Sequence, residues 1–298
     1  MNRKLIKWAA ACVLSVGSAA SALAGSVTSP GQTIGSAAGT PVPPGFYFAD
    51  TADWGCRNTS PQHTCVGINV PVLFWSTPWT ILGARLEWTL APVTGVEVGI
   101  DNTAYSSGLF NPFTSAQLAW DLGNGWGFSY LLGVYFGING PIAYSSSSLN
   151  QRVALSYTGG GWNLTANVIW GSQFEHVTSR PQISPCPVSI AFPSNGCNPD
   201  FINVDLTATK RFGRLELGPV GFFSSDLNAP TPGYQKQSQF AMGGLIGYWL
   251  DQVILQVSVT SDMYERNYRG KDVRGWATII IPIGDRQGPP AAGTTAAK

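Results

Sequence analysis

At alternate positions this sequence places ionisable and amide side chains opposite apolar ones. Arg85 and Glu87 are such a pair, followed by Gln117 and Asp121, Arg152, Asn163 and Asn167, Asp205 and Arg211, Glu216, Gln256 and Arg274. Residues of these types could do two things. In a wet interior they would set a field and select solutes by charge and hydrogen bonding. In a narrow one they would chiefly satisfy each other, because an unpaired buried charge is costly. Arg85 and Glu87 would stand about 7 Å apart on one strand, with Asp121 and Arg152 as neighbours on later strands. Signs paired in this way would not favour ions of one charge, unlike a pore ringed by arginines.

Other chemistry is thinly represented. The sequence has no G-x-S-x-G, H-E-x-x-H or phosphate loop, and Gly123-Asn124-Gly125-Trp126-Gly127 precedes no helix. Glu175-His176 is the one candidate for a positioned base; a solvated surface pair is the ordinary reading, and no enzyme activity is expected. Besides Cys12, the cysteines form two local pairs, Cys56 with Cys65 and Cys186 with Cys197. Four cysteines allow three connectivities, and local pairing needs the least loop closure. Zinc would want C-x-x-C spacing or more histidines than His63 and His176. Structural disulfides in an oxidising compartment are therefore expected, with neither metal nor cofactor.

The elements that would position the polar residues are strands. Between Trp162 and Trp170, Leu164, Ala166 and Val168 alternate with Asn163, Thr165 and Asn167, and Gly159–Gly161 supply a turn. Similar runs predict strands at 44–54, 66–76, 80–92, 113–122, 126–137, 149–158, 162–173, 200–211, 214–224, 238–250, 252–264 and 272–283. Long and short connections alternate between these twelve. Thr77-Pro78-Trp79 is expected as a short turn and 99–112 as a long loop. Aromatics bunch at strand ends: Trp79, Trp120, Trp126, Tyr157, Trp162, Phe212 and Trp249 near short turns, Trp54, Trp170 and Phe174 opposite. Together these features predict an all-β fold, a transmembrane antiparallel up-and-down barrel of about 12 strands with two aromatic girdles. A soluble exported β-sandwich used for binding is the architectural alternative.

Composition agrees. Of 298 residues only 11% are charged, 12% are aromatic and 35 are glycine. Residues 1–24 read as a signal peptide: Arg3, Lys4 and Lys7, an apolar run from Trp8 to Ala20, then Ala22-Leu23-Ala24. Losing its three positive charges would take the chain from +1 to near −2, which gives no reason to expect nucleic acid as a partner. Residues 25–43 read as a flexible segment, with a plug folded into the barrel lumen as the alternative, 44–284 as the barrel and 285–298 as a disordered tail. The expected partners are the outer-membrane bilayer of a Gram-negative bacterium, reached by Sec export, and a small-molecule solute.

The chain also resembles a known bacterial family, the MetA pathway of phenol degradation. The resemblance rests on Pro43-Pro44-Gly45-Phe46-Tyr47-Phe48, on Val70-Pro71-Val72-Leu73-Phe74-Trp75 before Ile81-Leu82-Gly83-Ala84, and on Gly108-Leu109-Phe110-Asn111-Pro112. It extends through Leu118-Ala119-Trp120-Asp121-Leu122-Gly123 to Ile279-Ile280-Ile281-Pro282-Ile283, spanning about 43–284. It implies a β-barrel channel for small hydrophobic or aromatic compounds. These motifs are structural, and none carries chemistry.

Overall fold

The computed structural model describes residues 26–60, 62–101, 103–144, 146–174, 199–230 and 234–284. The expected signal peptide and C-terminal tail lie outside them, as do Glu175, His176, Cys186 and Cys197.

The strands are β1 (Gly45–Arg57), β2 (Thr64–Ile81), β3 (Ala84–Ala91), β4 (Thr94–Ile100), β5 (Ala104–Phe110), β6 (Phe113–Gly123) and β7 (Trp126–Tyr135). They continue as β8 (Ser148–Tyr157), β9 (Trp162–Gln173), β10 (Phe201–Phe212), β11 (Leu215–Asp226), β12 (Ser238–Leu250), β13 (Val253–Arg266) and β14 (Asp272–Ile283). All pair antiparallel in one sheet, and β1 pairs with both β14 and β2, which closes it. Twelve strands form the ring. The remaining two, β4 and β5, are a hairpin on the loop end of β2: Leu73–Ile81 of β2 pairs with β3, and Thr64–Asn69 pairs with β4.

Two expectations are corrected here. The loop expected at 99–112 is largely that hairpin, which continues the lines of β3 and β6. The strands break at Pro92 and Pro112, where a missing N–H removes a ladder bond. The short turn expected at Thr77-Pro78-Trp79 is instead an irregularity inside β2, where the register shifts between Ser76 and Thr80. Thr77 Oγ1 donates to the Leu86 carbonyl across that break. The chain actually turns at Leu82-Gly83, both in the left-handed region at φ 52° and 77°. Asn124-Gly125 does the same between β6 and β7 at φ 53° and 85°. Two left-handed central residues match the twist of flanking strands in a two-residue hairpin.

Alternation fixes the two faces. On β10, Phe201, Asn203, Asp205, Thr207 and Thr209 are buried, while Leu206 on the other face is 40% exposed. Outward Trp79, Trp126, Trp162 and Phe212 are exposed at the turn end, and Trp54 and Trp170 nearer the loops. Trp126 packs on Tyr157, and Lys210 lies over Trp162. Trp249 departs from the expected girdle. Its indole N–H donates to Glu216 Oε2, while its neighbour Tyr248 is the exposed ring. Cys56 and Cys65 form the expected disulfide, joining directly opposed ends of β1 and β2.

Candidate functional site: a strapped lumen

The interior holds a length of the chain itself. Residues 26–43, expected to be a flexible segment, run through the ring from the loop end to the turn end. They form successive turns, with Gln32 N bonded to Ser29 O, Ile34 N to Gly31 O, Ser36 N to Thr33 O and Thr40 N to Ala37 O. Such a strap leaves many backbone groups without ladder partners, and buried ones must be satisfied. The inward side chains of the barrel satisfy them. Asp205 accepts from Gly31 N, Thr33 N and Thr33 Oγ1, and Thr207 Oγ1 from Gly35 N. Asn203 Nδ2 donates to Ser26 Oγ and Thr28 O, so successive inward residues of β10 grip successive strap residues.

Other strands add to this. Asn163 Nδ2 and Gln256 Nε2 both donate to Gly35 O, and Asn167 Nδ2 donates to Thr33 Oγ1. Gly39 N donates to Ser156 Oγ, and Ser129 Oγ to Ala38 O. Near the turn end, Val42 N donates to Glu87 Oε1 at 2.8 Å, and Gln117 Nε2 to Glu87 Oε2.

The sequence-predicted residues thus fall into three groups, with Arg85 apart. Glu87, Gln117, Asn163, Asn167, Asp205 and Gln256 hold the strap, while Glu216 supports Gln256 and accepts from Thr209 Oγ1 and Trp249 Nε1. Arg152 and Arg274 are inward on other duties described below. Asp121 and Arg211 are exposed at the turn end, not in the lumen. Asp121 accepts from the Gly123 amide and Arg211 lies 4.5 Å from the Trp249 ring centre. Alternation gives the face but not the depth, and both sit where strands end. Arg85 forms no ion pair with Glu87; it donates to the Thr77 carbonyl.

Towards the loop end lies a charged cluster. Arg274 bonds Asp53 on β1 and, through Nε and Nη2, Asp272 Oδ2. Arg57 Nη1 donates to Asp262 Oδ2 at 2.9 Å, and its guanidinium stacks 3.9 Å from the ring centre of Tyr268. Burial pushes the Tyr268 phenol above its ordinary pKa, so it stays neutral across the working range. Asp53, Arg57, Asp262 and Asp272 escaped sequence reasoning, although their alternation with Ala52, Trp54, Met263 and Val273 marks them as inward.

Part of the interior is apolar. Val66, Ile68, Val70, Val96, Val98, Phe110, Phe113 and Leu131 form a buried cluster with Ile142 and Tyr144. The last two belong to the loop after β7, which folds into the ring. Asn111 holds it there: Nδ2 donates to Phe136 O and Tyr144 O, and Oδ1 accepts from Tyr144 N. Replacing Asn111 with Ala should free this loop, costing about 2–3 kcal/mol from buried groups left unpaired. Faster amide exchange at Ile142 and Tyr144 checks it; unchanged exchange there refutes it. The shallow groove of about 860 Å³ around Trp54, Gly67, Val257, Val259, Gly275 and Ala277 is a feature of the outer wall, not the lumen. Among the described residues no group of three His, Cys, Asp or Glu could hold a metal.

Comparison with known proteins follows the same line. No curated protein matches the sequence. Among solved structures, an outer membrane channel from Pseudomonas putida F1 matches with TM-score 0.64 at 10% identity, covering 82% of this chain and 98% of that one. The β domain of the Bordetella autotransporter BrkA gives TM-score 0.48 at 12% identity, covering 80% of this chain and 100% of that one. At these identities the likeness is one of fold, that of a closed outer-membrane β-barrel. The model of the family described as "Putative MetA-pathway of phenol degradation" matches residues 30–279, including most of the strap and nearly all the barrel, and the chain belongs to that family.

Proposed function

We propose that this protein is a gated outer-membrane channel for small hydrophobic or aromatic solutes in a Gram-negative bacterium. The observation that carries this reading is the two-sided interior: an apolar wall from Val66 to Phe113 faces a strap whose backbone is held by polar groups, with its Val27 and Ile34 packed into apolar clusters. A lumen packed only with apolar side chains would be a core, and one lined only by charge would pass ions. Here the loop-end half of the strap bonds mainly to β8–β10 and meets the apolar wall of β2, β4 and β6 through Val27. Water can replace the strap's polar bonds when this half of the lumen opens, while release of Val27 and Ile34 uncovers apolar surface that a hydrophobic or aromatic solute can cover. The family name and the P. putida neighbour, itself described as an outer membrane channel, support the same reading. The test is flux through purified, folded protein in liposomes. Phenol should cross faster than through empty liposomes and faster than a sugar of similar size. No flux of either solute above that through empty liposomes refutes the channel.

A further inference from the structure

Between the strap and the apolar wall lies a cavity of about 80 Å³. Val27 and Gln32 of the strap cover it, Val70, Phe113 and Tyr135 line the wall, and Arg152 provides its one cation. Phe113 and Tyr135 pack at 4.4 Å between ring centres and present one continuous aromatic surface. Arg152 is unusual among the inward cations. Arg57 and Arg274 are each paired with carboxylates, whereas Arg152 makes no ion pair among the described residues. Its Nε donates to Asn150 Oδ1 and its guanidinium lies 5.1 Å from the Phe113 ring centre. Its two terminal nitrogens make no hydrogen bond among the described residues, and the residue lines the cavity. Asp205 is the acid within its electrostatic reach, and that carboxylate is already engaged by Gly31 and Thr33.

We propose that this is the binding site for an arene carboxylate, seated with its carboxylate on Arg152 and its ring against the Phe113–Tyr135 surface. The proposal deepens the channel reading and rests on it for the route by which the solute arrives. A planar guanidinium fork matches a carboxylate bidentately, and the aromatic surface supplies the apolar contact. With the strap in place the cavity is too small for a ring, given that an apolar cavity of roughly 150 Å³ accommodates benzene. The solute therefore takes the space of Val27 and Gln32, and binding displaces the loop-end half of the strap. Displacement also frees Tyr135 OH, which now accepts from Thr28 Oγ1. It also releases Asp205, which then competes with the solute for Arg152.

Equilibrium binding to the folded, detergent-solubilised full chain tests this, with benzoate compared with its neutral counterpart benzyl alcohol. Benzoate should bind about tenfold more tightly, as charge-assisted pairing adds roughly 1.4 kcal/mol per tenfold. Arg152→Gln should erase that preference, Arg152→Lys should keep part of it, and Asp205→Asn should enlarge it. Equal binding of the two probes by the parent protein overturns the site, as does a preference that survives in heat-modifiable Arg152→Gln barrel. The readout needs no transport. A preference without flux would refute the channel and keep the site; phenol flux without a preference would do the reverse.

Discussion

Deleting residues 26–42 should convert a nearly closed barrel into a conducting one, with single-channel conductance rising severalfold. A ring of twelve strands is intermediate between eight, which side chains can fill, and sixteen to eighteen, which leave an aqueous channel. Here the strap is the difference. Its removal leaves Asp205, Thr207 and Glu87 without their backbone donors and Asn203 without its backbone acceptor, but in a widened lumen water replaces those partners, so the ring itself should persist. A point variant separates loss of the strap from damage to the chain terminus. A side chain at Gly127 of β7 would meet Gly39 O at 2.7 Å and Thr40 Cα at 2.8 Å, both strap backbone. Gly127→Val should therefore push the strap off the wall and raise conductance in the full-length protein. Planar-bilayer recordings of both variants check this. Conductance equal to the parent's in both, from heat-modifiable protein, would show that the strap is not the barrier.

Much of the ring could be read in the sequence because period-two alternation and turn residues act locally. The bounds 162–173, 238–250 and 272–283 coincide with β9, β12 and β14. What escaped depended on long-range contact. Residues 26–43 have no periodicity, and their order comes from partners more than 100 residues away, such as Asp205 and Ser156. The β4–β5 hairpin hid for a different reason. Gly95, Gly99 and Gly108, with Ser106 and Ser107, dilute its apolar pattern until it resembles a loop. Glu87 and Asp205, well inside their strands, are lumen residues that alternation marks. Asp121 and Arg211 share their parity but sit at the ends, where inward and outward no longer differ. The loop-end acids Asp53, Asp262 and Asp272 carry the same alternation, but their pairing with Arg57 and Arg274 is set by the register of neighbouring strands, which a period of two does not encode.

Arg274→Met should be the most destabilising single change in the barrel wall, by about 3–5 kcal/mol. Arg274 sits on β14 opposite Gly55, at the seam where the last strand meets the first. Its guanidinium bonds Asp53 on β1 and Asp272 on its own strand, and all three side chains are less than a tenth exposed. Methionine keeps most of the volume, so the loss is not chiefly one of packing. What remains is two carboxylates in a low-dielectric site with their shared cation gone, the costly half of a broken buried pair. The cost should appear as a lower temperature for loss of the compact, heat-modifiable form, because beside the Arg57–Asp262 pair, which reaches from β1 past β14 to β13, this cluster is the ionic tie across the seam among the described residues. Arg214→Met is the control. Its ion pair with Asp251 is well exposed and should contribute no more than about 1 kcal/mol. Adding Asp53→Leu to Arg274→Met removes one stranded charge and should recover part of the loss, a coupling that a thermal double-mutant cycle reads directly. If Arg274→Met melts with the parent, or the second change deepens the loss, the cluster does not hold the seam.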